Sequence, residues 1–528
     1  MNAFWITFSA SIIVLISIAS LPLLNNNNNN YLRIADLLNW RSSSSCLSEE
    51  VADLLVTNGT IYTSDETLPF ADSMAIRNGR ILRVGNYSSI KKLERTWTKE
   101  LNLDGKIVVP GFIDSHVHFI PGGLQMARVE LRGVNTKDLF VDKIRKAVAN
   151  VKQGSWLLGG GWNNDIWGGD LPMASWIDSI TPHNPVWLSR MDGHMGLANT
   201  VALTLAGLSR NNENPNGGAI VRNNDGDVYK WADLSGNMMI RVCLFFPMET
   251  WSRLVDLMSK SGRVLSQWIY LGGVKAFADG SLGSNSALFR EPYVDDPNNY
   301  GLQVVDLDDL YNMTLSSDKS GLQVSIHAIG DRANDLILDM YASVASEKQI
   351  RDRRFRIEHA QHLAPGTVAR FGEQSVIASV QPDHLLDDAD SATKKLGSER
   401  AERGSFLFKS ILTNNAQLAF GSDWPVADIN PLKSIRTSMK RIPPGWEKAW
   451  ILSECLCLKD ALKAYTIWAA HACFLDKYVG SLSPGKYADF VVLSTNSWED
   501  FATEFSADVE ATYIGGSKAY SIRSEDKK

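Results

Sequence analysis

The sequence predicts an α/β protein: a β/α barrel beside one small β domain assembled from both ends of the chain. Two observations predict it. Across residues 107–477, short apolar β-branched runs alternate with longer helical patterns, the signature of βα units on a parallel sheet. Residues 51–106 and 478–522 read instead as short strands separated by Gly-containing turns, the pattern of hairpins. With 528 residues, 44% of them apolar, the chain can bury a core of that size.

The start of the chain is different in kind. From Ala3 to Leu24 there is no charge, and about 20 such residues cross a bilayer. The run is a signal peptide or a membrane anchor. The lack of a basic stretch before it favours the anchor, although Ser17 and Ala19 supply a small-x-small cleavage site. Both readings direct the protein to the secretory pathway or endomembrane system. The side of the membrane stays open, because Arg33 and Arg41 favour a cytoplasmic body while Asn58-Gly-Thr, Asn86-Tyr-Ser and Asn312-Met-Thr match the tripeptide pattern of lumenal glycan acceptors, one that also arises often by chance. Residues 25–50, with Asn25 to Asn30 and Ser42 to Ser45, make a low-complexity tether.

Folding begins near Val51. There VADLLVTNGTIYT and DSMAIRNGRILRVG place Asn-Gly between apolar runs, and GSLSPGKYADFVVLS and VEATYIGGSKAY repeat the pattern at the far end. The barrel strands read as Ile107 to Asp114, Met238 to Phe246, Gly273 to Ala278, Gln323 to Ala328, Phe355 to Ala360, Val376 to Gln381 and Ala416 to Gly421. Each ends in polar residues, and the C-terminal strand ends are where a β/α barrel carries its chemistry.

A net charge of -6 with scattered Lys and Arg leaves no basic face, which excludes nucleic acid as a partner. Five cysteines are too few and odd in number for a disulfide scaffold, and Cys455-x-Cys457 reads as core thiols rather than a metal clip.

The first strand runs into His116-x-His118. Residues two apart in a strand share a face, so both imidazoles can reach one metal ion. His327, His359 and Asp423 stand at three further strand ends. Any one of them alone reads as a satisfied core histidine or a turn residue. Four strand ends at once point to a metal, because so many buried donors and acceptors would otherwise lack partners.

HVH, VKAFADGSLGS, HAIGD, RIEHAQ, SVQPDH and GSDWPV together resemble the motifs of the amidohydrolase superfamily in its YtcJ-like branch, over nearly all of the chain from Val51 onward. The resemblance implies a distorted (β/α)8 TIM-like barrel with a small β-sandwich built from both chain ends. It implies one or two divalent metal ions, zinc being the expected one, on His116, His118, His327, His359 and Asp423. Lys275 falls where two-metal members place a carboxylated lysine; as a plain ammonium it would repel a cation. The implied reaction is hydrolysis of a small amide at a non-peptide C–N bond. The metal lowers the pKa of a bound water, and Asp423 acts as general base and then acid. His384 is the candidate oxyanion donor, and Asp192 and His194 in RMDGHMG are candidate substrate contacts. Trp156, Trp162, Trp167 and Trp176 form either an aromatic substrate wall or, the preferred reading, core.

The chain departs from the family at one place. Between Asp227 and the MMIRVCLFF strand it has only VYKWADLSGN, where relatives carry a helical stretch and the second barrel strand. A barrel lacking that strand has an unpaired edge. Val186 to Arg190 is a weaker candidate to fill the place. The competing expectation is therefore a membrane-tethered signalling component that keeps this shape without catalysis.

Overall fold

The computed structural model describes residues 50–119, 122–123, 128–205, 240–346, 352–503 and 507–522. The apolar run, nearly all of the tether and the Asp227 junction lie outside these. Among the described residues no helix is long and apolar enough to cross a membrane.

In chain order the strands are β1 (Leu54–Thr57), β2 (Thr60–Tyr62), β3 (Phe70–Ala71), β4 (Ser73–Arg77), β5 (Arg80–Gly85), β6 (Lys99–Asn102) and β7 (Ile107–Pro110), then β8 (Val129–Glu130), β9 (Leu157–Trp162), β10 (Val186–Arg190) and β11 (Gly196–Ala198). After them come β12 (Val242–Pro247), β13 (Ile269–Phe277), β14 (Gln323–Ala328), β15 (Arg356–His359), β16 (Ile377–Val380) and β17 (Leu418–Phe420), and finally β18 (Phe490–Leu493), β19 (Val509–Ile514) and β20 (Ser517–Ser521).

Both chain ends contribute to one sheet, ordered β20-β19-β18-β7-β2-β3, beside a second ordered β5-β4-β1-β6. Val56, Met74 and Ile76 of the second sheet share an apolar cluster with Val108, Phe490 and Val492 of the first. The two Asn-Gly pairs behave differently. Asn78 and Gly79 have φ of 50° and 72° and close the β4–β5 hairpin, the conformation such a two-residue turn requires. Asn58-Gly59 makes no hairpin: it carries the chain from one sheet to the other, and a Cβ on Gly59 would stand 2.4 Å from Leu103 Cδ1.

The central sheet, β12-β13-β14-β15-β16-β17, is parallel throughout. Helices such as Leu307–Lys319 and Asp331–Ser346 return the chain between its strands. The second of these buries Ala333, Ile337, Tyr341 and Val344, one stripe at helical spacing, against the sheet, and β14 is buried along its whole length.

One strand expectation needs correction. Ile107–Pro110 is not a barrel strand: it pairs with β18 and β2. The chain breaks at Gly111, whose N–H bonds Asp489, and the stretch 113–116 then runs along β17 and past it. Ser115 N donates to Phe420 O at 2.9 Å, and Asp423 N donates to His116 O at 2.7 Å. Gly421 permits this approach, since a Cβ there would lie 2.5 Å from the His116 nitrogen. Val186–Arg190 is a strand, β10, but it belongs to a separate sheet, β11-β10-β9-β8, and does not replace the second barrel strand. Among the described residues nothing pairs with the outer edge of β12. Trp162 is buried in the core of that separate sheet, with Trp167 and Trp176 packed against it, so these rings serve packing. Cys457 is exposed, not a core thiol.

Candidate metal centre

The C-terminal ends of the central strands bring the expected ligands together. Donor atoms of His116, His359 and Asp423 all lie within 4.8 Å of one another. His118 joins them: its Nε2 is 3.2 Å from Asp423 Oδ1, the same distance as His116 Nε2. The segment carrying both histidines is irregular, so they converge on Asp423 without the shared strand face that their spacing suggested. The His327 ring stacks edge-on against His359 with centroids 4.5 Å apart. Its Nε2 faces the Gly280 carbonyl at 2.9 Å; a carbonyl only accepts, so Nε2 carries the proton and Nδ1 holds the lone pair.

Sequence reasoning missed Glu358. Its Oε2 lies 2.6 Å from His116 Nδ1, which fixes the proton on Nδ1 and turns the His116 Nε2 lone pair toward Asp423. Alternation in a strand would send Glu358 and His359 to opposite faces. His359 escapes that rule because its φ is +74°, and Asp423 is likewise left-handed at +56°. Arg356 holds the other Glu358 oxygen, Nε to Oε1 at 2.8 Å, and donates from Nη2 to Ser115 O and Ser379 Oγ at 2.8 and 3.0 Å. Ser325 Oγ adds a bond to Glu358 at 2.5 Å. This buried polar layer ties the stretch 113–116 to β14, β15 and β16 directly beneath the cluster.

The charges suit a cation. Burial holds His359 and His327 well below the ordinary imidazole range, so both are neutral. Burial works against ionisation of Asp423, yet His116 and His118 outweigh it and keep the carboxylate charged. Burial lowers Lys275 to about 8, against the pull of Glu358 and Asp423, and its Nζ sits 4.3 Å from the Phe277 ring centre. Among the described residues, buried His359 Nδ1 has no hydrogen-bond partner, and Asp423 Oδ1 has none of good direction, the His116 and His118 nitrogens at 3.2 Å being close but poorly aligned for a hydrogen bond. Two orphaned donor atoms in a cluster of imidazoles and a carboxylate fit a divalent ion.

For His116, burial favours the neutral ring, but Asp423 and Glu358 raise it to about 9. That proton must leave before the ring can bind a metal, so at neutral pH it competes with the ion. Metal affinity is therefore expected to rise about tenfold per pH unit and to level off above about pH 9, one proton being displaced. Competition against a chromophoric chelator across this range checks the slope; a flat profile contradicts it.

His384 opens the helix His384–Leu396, and its Nε2 stands 3.6 Å from Asp423 Oδ2. Asp192 lies across the same cleft, its Oδ2 bonded to Arg190 Nη1 at 2.7 Å and to Ser281 Oγ at 2.6 Å. His194 is exposed at the cleft, its ring 5.2 Å from His327. Arg190, another residue missed from sequence, reaches Asn163, Asn164, Asp165 and Asp192 at once and so organises this wall.

Comparison with known proteins accords with this geometry. The pattern of the amidohydrolase family matches residues 99–231 and 227–520, two pieces that overlap at 227–231, where the sequence departs from the family. The chain is 57% identical to the protein LONG AFTER FAR-RED 3 of Arabidopsis thaliana, over 97% of each chain. It is 27% identical to the putative amidohydrolase YtcJ of Bacillus subtilis, over 88% of this chain and 98% of that one. Among solved structures, an uncharacterised metal-dependent hydrolase of Pyrococcus horikoshii superposes with a TM-score of 0.65 at 25% identity, covering 84% of this chain and 97% of that one. The chain belongs to the amidohydrolase family.

Proposed function

We propose that this protein hydrolyses a small amide at a non-peptide C–N bond, using one or two divalent ions, zinc foremost. His116, His118, His327, His359 and Asp423 would hold them, with Lys275 bridging as a carbamate. The observation that carries this reading is the pair of orphaned atoms, His359 Nδ1 and Asp423 Oδ1, at one end of a cleft. The names of the Bacillus and Pyrococcus proteins support amide chemistry and metal dependence respectively. Lys275, lowered to about 8, has a sizeable neutral fraction near neutral pH; its amine can add CO2 and release a proton, replacing a repelling charge with a carboxylate.

A divalent ion bound there would acidify water and polarise the substrate carbonyl. The chain's own groups handle the protons. Asp423 takes the proton of the attacking water and passes it to the departing amine. His384, beside Asp423, donates to the oxygen that gains charge as the carbonyl becomes tetrahedral. Glu358 keeps His116 in one tautomer, and Arg190 keeps Asp192 and Ser281 in place across the cleft. The two chain-end sheets act as a β-sandwich that braces the barrel, and residues 3–24 anchor the protein to a membrane of the secretory pathway.

The test is amine release from a panel of N-formyl and N-acetyl amines. Turnover is expected to stop with a strong chelator and return with Zn2+; undiminished turnover in the chelator contradicts the mechanism. The name of the Arabidopsis relative favours a second reading, a membrane-tethered component of far-red light signalling that keeps this fold without catalysis. A folded, metal-loaded chain inactive on every amide of the panel would favour that reading.

A further inference from the structure

The cleft beyond the metal cluster is acidic on one side. Asp165, Asp192, Asp387 and Asp388 line it, and Arg190 is the cation among its lining residues. Arg190 is fully engaged between the first two of these, at 2.9 Å to Asp165 Oδ2 and 2.7 Å to Asp192 Oδ2. Asp388 receives only a neutral donor, Gln361 Nε2 at 2.6 Å, and among the described residues neither Asp387 nor Asp388 has a Lys or Arg within ion-pair distance. Arg132 and Arg190 act on this pair from further off, while Asp192 repels Asp388. Burial, with Asp387 beside it, pushes Asp388 up to about 7, the behaviour of a carboxyl that lacks a counter-charge.

A second observation shows that the cleft receives a ligand. His359 and Asp423, 6% and 5% exposed, line it with Nδ1 and Oδ1 unpartnered. Asp387 and Asp388 follow His384 by three and four residues on the helix His384–Leu396, so all three lie on one face. One helical turn, about 5.4 Å of axial rise, separates the backbone position of His384, the group beside Asp423, from those of the two carboxylates. A chain of four to six bonds bridges such a distance.

We propose that the substrate carries a cationic amino group at its far end, about five carbons from the scissile amide, received by Asp387 and Asp388. This rests on the amide-hydrolase reading above and names the kind of amide: a mono-acylated diamine. It follows that an anionic tail is rejected and a neutral one bound less tightly.

The test reads binding without turnover. The metal-loaded full chain is titrated calorimetrically with three methyl ketones that copy the amide and resist hydrolysis: 8-aminooctan-2-one, octan-2-one and 7-oxooctanoate. The aminoketone is expected to bind about tenfold tighter than octan-2-one, the size of one partly screened ion pair, and 7-oxooctanoate weakest. In the double variant Asp387→Asn, Asp388→Asn the preference for the aminoketone should disappear. Equal binding of aminoketone and octan-2-one by the wild-type chain overturns the inference, as does tightest binding of 7-oxooctanoate. So does a folded double variant that keeps the preference. If the variant does not fold, the wild-type ranking decides alone. Charge-blind binding with amide turnover intact refutes this inference only; metal-independent turnover with the charge preference intact refutes the metal mechanism only.

Discussion

Asp423→Asn is expected to lower kcat about 10³-fold while the chain stays folded, within the range that a positioned acid or base contributes. The reason lies in where the two oxygens sit. Oδ1 lies 3.2 Å from both His116 Nε2 and His118 Nε2, and Oδ2 faces His384 at 3.6 Å. Asparagine preserves that shape and one oxygen but cannot carry a proton at neutral pH. Steady-state kinetics on any amide turned over by the wild-type chain, beside an elemental analysis showing retained metal, checks the result. Unchanged turnover would remove Asp423 as the proton carrier.

The largest effect on stability is expected at Arg356. Arg356→Leu should destabilise the fold by about 3–5 kcal/mol, because it strands a charged partner in the interior. Glu358 is 1% exposed and would keep only Ser325 and His116, while the Ser115 carbonyl and Ser379 hydroxyl lose their donor. Arg356→Leu combined with Glu358→Leu should recover much of the loss, since an apolar pair strands no charge. It should not recover metal affinity, because His116 then lacks the group that sets its tautomer. Denaturant unfolding followed by tryptophan fluorescence, with metal titration of each variant, separates the two effects. An Arg356→Leu chain as stable as the wild type would show that the buried layer does not brace the barrel.

Much of this could be read from the residues because it rests on local rules. Parallel strands announce themselves as apolar runs, and Gln323–Ala328 appears over the range its pattern marks. The Asn78-Gly79 hairpin follows from turn chemistry alone. What was not legible depends on distance in space. Asn58-Gly59 has the same dipeptide, but Leu103, 44 residues on, decides that the chain crosses to another sheet there. Strand alternation hid Glu358, because the left-handed backbone at His359 is a tertiary imposition. Arg190 looked like the end of a short strand; its partners Asn163 and Asp165 come from another loop, and Ser281, which shares Asp192 with it, from a third. The first barrel strand was placed too early because Ile107–Pro110 is as apolar as any barrel strand, and Gly111 marks the change of sheet.

The most direct test of the account is the metal content of the purified, folded full chain, by mass spectrometry of the elements. The cluster of His116, His359 and Asp423, with His118, His327 and a carbamate on Lys275 as the further ligands proposed above, predicts about one to two equivalents of divalent metal per chain, zinc foremost. Less than about 0.2 equivalents in a folded sample, unchanged after incubation with Zn2+, would contradict it.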